Sequence, residues 1–572
     1  MEKIKQIKKF IQKKNLDGFI IPKNDEFFSE YVPKVKDRLK KVSGFSGSYG
    51  FALLLKKKNY LFVDGRYTLQ ANRESGRKFK IITVPQKKPE HILRDKKFKI
   101  GYNPQIHTEE NLNRLFSKTK CKLFQVDEGL LINKKNSLKK KISKIFRLKD
   151  SDAGESIKGK IKKVVNNLNK NYLDLQFVTS SENISWLLNI RGDESRYTPI
   201  VKSRALINKK GKVFLFIDSN LIKGKLFKKS EKVEILDINF LSLFLSNLKN
   251  QKICIDRNTC SIYFKKILDK ENKTIYSTDP IYLFKAKKNP IEIKNIKQAH
   301  LFDGIAVTKF LMWIKDNFEK KKISEINAQD KLLQFRKKFK KFLFPSFPTI
   351  SGTGSNAAVI HYKASPKTNK ILKKGELYLV DSGGQYKFGT TDVTRTISLK
   401  NNNTRIKDIY TRVLKGHIAV ANFKIKKFTT GAQIDKVARN FLRKKNLDYN
   451  HGTGHGVGYF ANVHEGPQAI SKGNKIKLSN GMVLSNEPGY YEKNSFGIRI
   501  ENLIFLKKID KKYLKFQNLT LVPIDKNLID KKLMNKEEIR WLNNYHKNIF
   551  LKLKKYMNNK EKFMLRGQCS NI

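Results

Sequence analysis

Four segments in the last third of the chain each contain an acid or a histidine suited to binding a metal ion. They are LVDSGGQYKFGTTDVTRT with Asp381 and Asp392, HGTGHGVG with His455, SNEPGYY with Glu487, and GIRIEN with Glu501. Four carboxylates that converge repel one another strongly unless a cation lies between them. If these segments meet in the fold, the sequence predicts a two-metal site with metal-assisted hydrolysis as its reaction.

The first two acids lie on a predicted β-hairpin. Two stretches rich in β-forming residues, Leu377–Asp381 and Thr390–Ile397, flank a glycine-rich link. A turn centred near Tyr386 and Lys387 places Asp381 opposite Asp392. Like charges that face each other across a sheet destabilise it unless something lies between them, so the pattern again indicates a bound cation.

The two glutamates lie on a second predicted hairpin. Met482–Glu487 and Ile498–Asn502 flank a polar turn around Asn494. In this register Glu487 falls opposite Glu501. The two hairpins together would present four carboxylates on rigid strands.

These residues, with three longer strings, carry a resemblance to a known family. Residues from about 285 to 510 resemble the pita-bread fold of the methionine aminopeptidase, aminopeptidase P and creatinase superfamily. The dinuclear site of that superfamily has the same order of Asp, Asp, His, Glu and Glu. The strings SGTGSNAAVIHY (351–362), HGTGHGVGYFANVHEGP (451–467) and NEPGYY (486–491) resemble the Xaa-Pro aminopeptidase family.

The resemblance covers most of the chain. It includes FVDGRYTLQA (62–71), WLLNIRGDE (186–194), FKAKKNPIEIKNIKQAHLFDG (284–304) and TLVPIDKNLID…EEIRWLNNYH (520–546), which resemble the long, three-domain form. The implied fold class is α/β, with two N-terminal creatinase-like α/β domains followed by a C-terminal pita-bread catalytic domain. We expect the domains at 1–150, 155–285 and 286–510, with 511–572 as a C-terminal extension used for packing or dimerisation.

Alternating strand and helix patterns in the N-terminal half agree with that fold class. An opening helix precedes strands in DGFIIPK, FALLL and YLFVDG, with a loop at VSGFSGSYG; a second block has strands in RALINKKGKVFLFID and VEILDI and a helix in FLSLFLSNL. The two blocks share no close sequence repeat, but their similar element order predicts related folds. A lysine-rich segment from about 133 to 170 contains the predicted boundary. The proline in AKKNPIEI opens a long helix, and one amphipathic helix is predicted near 536–556.

The resemblance implies a role for each metal-site residue. Asp392 and Glu501 bridge two metal ions. Asp381 completes the coordination of one ion, and His455 with Glu487 completes the other. A metal-bridging hydroxide attacks the scissile carbonyl, and Glu487 is the general base.

The resemblance also implies substrate-binding residues. His361 and His464 bind the peptide and stabilise the developing oxyanion. His451, Tyr491 and Arg499 lie around the pocket for the proline ring, which has no N–H and a fixed φ. The implied enzyme removes the N-terminal residue from peptides that carry proline at the second position.

The ligand chemistry narrows the choice of metal. A carboxylate-rich set with one imidazole favours Mn²⁺, Fe²⁺, Co²⁺ or Zn²⁺ over Ca²⁺ or Mg²⁺. The resemblance points to two Mn²⁺ ions, with Co²⁺ or Zn²⁺ as substitutes. It also implies a homodimer.

Three other functions stay open at this point. The creatinase branch shares the fold and needs no metal, although Asp381, Asp392, Glu487 and Glu501 are all present here. A non-catalytic pita-bread module that binds proteins or nucleic acid would lose the ligand set. A prolidase cleaves only dipeptides and usually lacks the two-domain N-terminal extension.

Composition bears on partners and location. The net charge of +69 raises nucleic acid as a partner. The lysines are spread over every domain and no nucleic-acid recognition motif accompanies them, so we expect no specific nucleic-acid binding. The sequence contains no run of about 18 apolar residues, so we expect no membrane-spanning helix. The N-terminal string MEKIKQIKKFIQKKN lacks the apolar core of a secretory signal. Four sparse cysteines fit a reducing cytoplasm.

Overall fold

The computed structural model describes residues 2–126, 144–222, 224–400 and 402–572. Internal contacts divide the chain into unit 1, Met1–Asp150 with Glu155–Ile281, and unit 2, Ser151–Gly154 with Tyr282–Ile572. Part of the predicted boundary segment, 133–143, lies outside the described residues.

The first part of unit 1 is an α/β sheet with flanking helices. Its strands are β1 (Gly18–Pro22), β2 (Phe51–Leu55), β3 (Asn59–Asp64), β4 (Lys80–Val84), β5 (Lys99–Tyr102) and β6 (Lys122–Gln125). Its helices are α1 (Glu2–Lys13), α2 (Arg38–Ser43), α3 (Thr68–Ser75), α4 (Glu90–Leu93) and α5 (Glu109–Phe116). The strand order is β4-β3-β2-β1-β5-β6. The β1–β2 and β2–β3 pairs are antiparallel and the other pairs are parallel.

The next part of the chain repeats this arrangement. Its strands are β7 (Ile145–Arg147), β8 (Leu175–Val178), β9 (Ile190–Gly192), β10 (Arg204–Asn208), β11 (Val213–Ile217), β12 (Val233–Asp237), β13 (Lys252–Ile255) and β14 (Lys273–Tyr276). Its helices are α6 (Asp150–Ala153), α7 (Ile157–Lys170), α8 (Ser181–Leu187), α9 (Leu241–Ser246), α10 (Ile262–Leu268) and α11 (Ile281–Ala286). The strand order is β12-β11-β10-β8-β13-β14, and β7 pairs with β9 separately.

The two sheets share one topology, which confirms the prediction of related folds. In the second sheet the β8–β10 and β10–β11 pairs are antiparallel and the remaining pairs are parallel, as in the first. All five residues of β2 are buried, as expected for a central strand covered on both faces. One expectation was wrong: VSGFSGSYG is not entirely a loop, because Val42 and Ser43 end α2. Gly44 caps that helix with a φ of 81°, a conformation that favours glycine.

Unit 2 contains long helices and several small sheets. Its helices are α12 (Pro290–Asn317), α13 (Glu325–Lys337), α14 (Thr404–Ala421), α15 (Gly431–Arg443), α16 (Lys536–Leu553) and α17 (Asn559–Cys569). Its strands are β15 (Phe342–Pro345), β16 (Ile350–Thr353), β17 (Leu377–Ser382), β18 (Gly384–Tyr386), β19 (Gly389–Thr390), β20 (Val393–Ser398), β21 (Ile425–Lys426), β22 (Gly454–Gly456), β23 (Glu465–Ile470), β24 (Val483–Asn486), β25 (Gly489–Glu492), β26 (Phe496–Arg499), β27 (Asn502–Lys508) and β28 (Tyr513–Asn518).

Local sequence explains how the main helices begin. Pro290 is at the first position of α12, and Asn289 and Glu292 form a capping box, which confirms the predicted proline-set start. The helix predicted near 536–556 is α16. Helix α17 was missed, although Asn558 and Glu561 form a capping box at its start.

The strands of unit 2 form sheets that meet around the predicted site. The largest has the order β21-β28-β27-β24-β22-β23, and smaller sheets have the orders β16-β17-β20 and β15-β18-β19. The β25–β26 pair forms a separate ribbon. Ile498 on β26 shares a buried cluster with Tyr410, Leu542 and Leu565, so the C-terminal helices pack on the same core as that ribbon.

The helices and cysteines of the described residues agree with the predictions of no membrane span and no disulfide framework. None of the helices in the described ranges is long and apolar enough to cross a bilayer. The four cysteines are free.

Candidate metal centre

The structure brings the predicted ligand residues together in unit 2. Asp392, His455 and Glu501 each offer one ligand atom, and these atoms lie within 4.8 Å of one another. The Nε2 atom of His455 is 3.4 Å from Asp392 Oδ2 and 3.6 Å from Glu487 Oε1. Asp381 and Glu487 both interact electrostatically with Asp392, so they belong to the same cluster.

The first hairpin forms with a different register from the predicted one. Strands β17 and β20 are antiparallel, but Asp381 faces Thr394 rather than Asp392. The link forms its own hairpin, β18–β19, which turns at Lys387 and Phe388 and leaves Asp392 just before β20. Residues two apart on a strand share a face, so Asp392 still reaches the side of the sheet on which Asp381 lies.

The second pair of acids has the predicted register. In the β24–β27 ladder Asn486 pairs with Asn502, and in the β25–β26 ladder Gly489 pairs with Arg499. Continuing the register of either ladder by one or two residues places Glu487 opposite Glu501. The predicted turn is also present, with a φ of 62° at Asn494.

His455 is oriented so that one ring nitrogen faces the acids. Its Nδ1 lies 2.9 Å from the carbonyl oxygen of Gly456, and a ring nitrogen that meets a carbonyl must donate. The neutral ring therefore carries its proton on Nδ1 and has a lone pair on Nε2. Nε2 is the atom that faces Asp392 and Glu487.

The electrostatics of the cluster favour a bound cation. Burial, followed by the charges of Asp381 and Glu487, raises the pKa of Asp392 well above its usual value. Burial, followed by the charge of Asp392, raises the pKa of Glu501 in the same way. Each shift reports the cost of burying carboxylates close to one another, and a cation between them would relieve that cost.

The residues present fit divalent metal ions. Asp381 Oδ1 and Asp392 Oδ1 are buried and accept no hydrogen bond from the described part of the chain. Buried polar atoms normally have a partner. Carboxylate oxygens and one imidazole nitrogen are ligands that borderline divalent ions accept.

Family models match the chain in succession from end to end. Residues 3–133 and 137–292 each match the creatinase/prolidase N-terminal domain. Residues 294–508 match metallopeptidase family M24, and residues 512–572 match the C-terminal region of that peptidase.

Full-length relatives are also similar. A probable Xaa-Pro aminopeptidase P of Laccaria bicolor is 35% identical over 606 positions, covering 100% of this chain and 93% of that protein. Xaa-Pro aminopeptidase 1 of Dictyostelium discoideum is 35% identical over 589 positions, covering 96% and 92%. The crystal structure of an X-prolyl aminopeptidase from Caenorhabditis elegans has a TM-score of 0.91 at 29% identity, covering 97% and 95%. The chain belongs to the Xaa-Pro aminopeptidase family of M24 metallopeptidases.

Membership in the Xaa-Pro aminopeptidase family confirms the expected fold, in which two creatinase-like α/β domains precede a pita-bread catalytic domain. It also identifies the chain as a metallopeptidase-family enzyme, which excludes the non-catalytic module. The C. elegans protein is described as a cytosolic enzyme with a di-nuclear active site.

In this member of the Xaa-Pro aminopeptidase family, Arg499 organises the polar groups beside the cluster. Its guanidinium donates to Asp381 Oδ2 at 2.6 Å, to the Thr394 hydroxyl at 3.0 Å and to the Tyr491 hydroxyl at 2.7 Å. The Thr394 hydroxyl in turn donates to Glu501 Oε2 at 2.7 Å. Arg499 is buried, and its positive charge pairs with Asp381 and partly offsets the repulsion on Asp392.

His451 lies at the far end of this network. Its Nε2 is 2.9 Å from the Tyr491 hydroxyl, and its Nδ1 is 2.8 Å from the carbonyl oxygen of Gly452. Because Tyr491 accepts from Arg499, its own proton is available to His451. Burial raises the pKa of Tyr491, so the hydroxyl stays protonated at neutral pH.

The other two predicted histidines lie on neighbouring segments. His464 is exposed just before β23, and its ring centroid is 4.3 Å from that of His455. His361 is half-buried between β16 and β17. A Cβ on Gly497 would lie 1.9 Å from the carbonyl oxygen of Ala357, so the segment that carries His361 packs closely against β26.

Sequence reasoning missed two hydroxyl residues of the site. One is Thr394. The other is Ser485, whose Oγ accepts from the His455 backbone N–H at 2.9 Å and donates to Glu487 Oε1 at 3.1 Å. Both lie in strings that the sequence singled out, but only the strand register gives these hydroxyls their partners.

Proposed function

We propose that this chain is a metal-dependent aminopeptidase that removes the N-terminal residue from peptides with proline at the second position. The observation that carries the proposal is the cluster of Asp392, His455 and Glu501, whose ligand atoms lie within 4.8 Å of one another. The names of three similar proteins, each of which refers to the X-prolyl bond, support the specificity.

The donor set supports two divalent cations, with Mn²⁺ as the expected metal and Co²⁺ or Zn²⁺ as substitutes. The di-nuclear site of the C. elegans protein supports the number. Asp392 and Glu501 would contact both ions. Asp381 would contact one ion, and His455 with Glu487 the other. When bound, the ions polarise the scissile carbonyl and make water more acidic.

The chain's own residues move the proton and hold the peptide. Glu487 accepts the proton of the attacking water as general base. His361 and His464 donate hydrogen bonds to the peptide as negative charge develops on its carbonyl oxygen. Loss of such a donor typically costs on the order of 10²–10³ in rate.

Specificity follows from the two ends of the substrate. The free amine binds near Asp381, which excludes internal peptide bonds. The proline ring enters a pocket bordered by His451, Tyr491 and Arg499. Because proline has no N–H and a fixed φ, a pocket shaped for its ring selects a bond that most peptidases cleave poorly.

We also propose the division into 1–150, 155–285, 286–510 and 511–572, a cytoplasmic location and a homodimer. The matched family ranges support the division. The cytosolic description of the C. elegans protein supports the location. The C-terminal helices, on which Phe563 is 79% exposed, offer apolar surface for a second copy.

Peptide length and metal content separate this function from its alternatives. We expect a chelator to abolish hydrolysis of Xaa-Pro tripeptides and longer peptides, and Mn²⁺ to restore it. Cleavage confined to Xaa-Pro dipeptides would instead make the chain a prolidase. Undiminished hydrolysis by metal-free protein would rule out the proposed chemistry.

A further inference from the structure

A buried carboxylate lies outside the metal cluster and is not used in the mechanism above. Glu325 begins helix α13, and none of its surface is exposed. Burial of an ionised carboxylate is costly unless hydrogen bonds or a cation satisfy it. Other groups must therefore satisfy both oxygens of the Glu325 carboxylate.

Glu325 is satisfied by neutral donors. Its Oε1 accepts from the backbone N–H of Thr353 at 2.8 Å and from the amide of Asn356 at 3.0 Å. Its Oε2 accepts from the backbone N–H of Lys370 at 3.0 Å and from the hydroxyl of Tyr362 at 2.8 Å. Both oxygens thus meet a backbone N–H and a side-chain donor.

All four donors belong to one segment, residues 353–370, which we name the His361 loop. Thr353 is at its start, Lys370 is at its end, and Asn356 and Tyr362 lie between them. One carboxylate therefore holds both ends and the middle of the loop. Long irregular loops are otherwise among the most mobile parts of a fold.

The His361 loop also contacts the metal-binding region. Strand β16, from which it leaves, pairs with β17, and Ile350 faces Asp381. The close contact between Gly497 and Ala357 seats the loop against β26.

We propose that Glu325 is a positioning residue for His361. Tyr362 is 5% exposed, and its bond to Glu325 fixes the backbone from which the adjacent His361 projects. The inference rests on the proposed role of His361 as a hydrogen-bond donor to the peptide. A displacement of about 1 Å in such a group can cost about 10²-fold in rate.

The arrangement requires a carboxylate rather than an amide. In Glu325→Gln one terminal atom becomes an NH₂ donor. Whichever way the amide is turned, that donor meets the backbone N–H of either Thr353 or Lys370. The substitution nearly conserves shape, yet it must break one of the bonds that hold the His361 loop.

The first test measures kinetics and metal content on an Xaa-Pro tripeptide. We expect Glu325→Gln to lower kcat roughly 10- to 100-fold with little change in bound metal. Tyr362→Phe removes only the hydroxyl, so we expect a fall of about 3- to 10-fold. Glu319→Gln neutralises an exposed glutamate on another segment and should match the wild type. Wild-type kcat in both Glu325→Gln and Tyr362→Phe would overturn the proposal.

A double-mutant cycle tests whether Glu325 acts through His361. In a His361→Ala background, Glu325→Gln should cause no further fall in kcat, because the group that it positions is already absent. If the fold-decreases in kcat caused by the two single substitutions instead multiply in the double mutant, the proposal is overturned. If His361→Ala alone leaves kcat unchanged, the proposed role of His361 is refuted, and so is the positioning role of Glu325. The proposed Xaa-Pro aminopeptidase function would still stand, because the wild-type protein cleaves the peptide.

Amide hydrogen exchange gives a readout that does not depend on activity. Exchange at residues 354–370 should accelerate in Glu325→Gln and, more weakly, in Tyr362→Phe, while exchange in α14 stays unchanged. Wild-type exchange in the His361 loop of both variants would overturn the proposal even if the protein cleaved no Xaa-Pro peptide. Use of two variants keeps the test valid if Glu325→Gln fails to fold.

Discussion

At the residue scale, neighbouring groups hold one atom of each of three side chains in the candidate metal centre and leave another atom facing the cluster. Arg499 holds Oδ2 of Asp381, and Thr394 holds Oε2 of Glu501. A backbone carbonyl holds Nδ1 of His455. The remaining donor atoms are thereby preorganised, which is how outer groups commonly tune a metal site.

Replacement of Asp392 tests this arrangement. Asp392→Asn removes a charge that two cations would share, so we expect bound metal to fall and turnover to be lost. Elemental analysis and a peptide assay measure both. Asp330→Asn makes the same change at an exposed position on α13 and serves as the control. Wild-type metal content and rate in Asp392→Asn would contradict the assignment.

His546 links stability to pH. The ring is buried, and its Nε2 accepts from the backbone N–H of Ile524 at 3.1 Å, so the folded state holds it neutral. Burial, followed by the charges of Lys526 and Arg395, lowers its pKa from 6.5 to about 3. Below pH 6.5 the unfolded chain therefore gains a proton that the folded chain does not, and the free energy of unfolding falls until the pH nears 3.

Urea denaturation of the metal-free protein between about pH 7 and pH 4, a range chosen to span the unfolded pKa, measures this effect. His546→Gln keeps an acceptor but does not titrate, so its midpoint should fall less steeply with decreasing pH than that of the wild type. If the urea midpoint changes equally with pH in the two proteins, His546 does not contribute to the loss of stability at low pH.

At the element scale, local patterns predicted strands and turns more accurately than long-range partners. The turn at Asn494 and the alignment of Glu487 with Glu501 follow from alternation and one polar turn. The predicted register of the first hairpin was wrong by two residues, because the link folds into its own hairpin, β18–β19. A glycine-rich string does not show how many residues a turn contains.

Contacts between distant elements could not be predicted. Arg395 on β20 donates to the carbonyls of Glu501 and Val522 and to the hydroxyl of Tyr545 on α16. It thereby connects the strand beside the metal cluster to the C-terminal extension. No local pattern identifies these acceptors, since each lies more than a hundred residues away from Arg395.

Two helical glycines test the packing of these elements. A Cβ on Gly416 of α14 would lie 2.3 Å from the carbonyl oxygen of Ala438 on α15, whereas nothing lies within 4 Å of one on Gly567 of α17. We expect Gly416→Ala to destabilise unit 2 by about 1–3 kcal/mol and Gly567→Ala to stabilise it by up to about 1 kcal/mol. Urea denaturation measures both, and shifts of the same sign would contradict the packing argument.

At the scale of the whole molecule, the lysines and arginines are spread along the sequence rather than gathered in one segment. The net charge of +69 comes from 120 lysines and arginines against 51 acids. Scattered lysines neutralise phosphates without reading sequence, so we expect binding to duplex DNA or RNA that weakens by orders of magnitude between about 50 and 200 mM salt. Sub-micromolar, sequence-selective binding at the upper end in a filter assay would reveal a genuine nucleic-acid partner.

The central claim joins the metal cluster to a proline-selective pocket, and one measurement tests it most directly. The Mn²⁺-loaded protein is assayed on two tripeptides that differ only in proline or alanine at the second position, and each product is identified. The account predicts release of the first residue alone, with kcat/KM for the proline peptide greater by a factor on the order of 10² or more, as expected where a shaped pocket discriminates. Equal kcat/KM for the two peptides, or cleavage at any other bond, would contradict it.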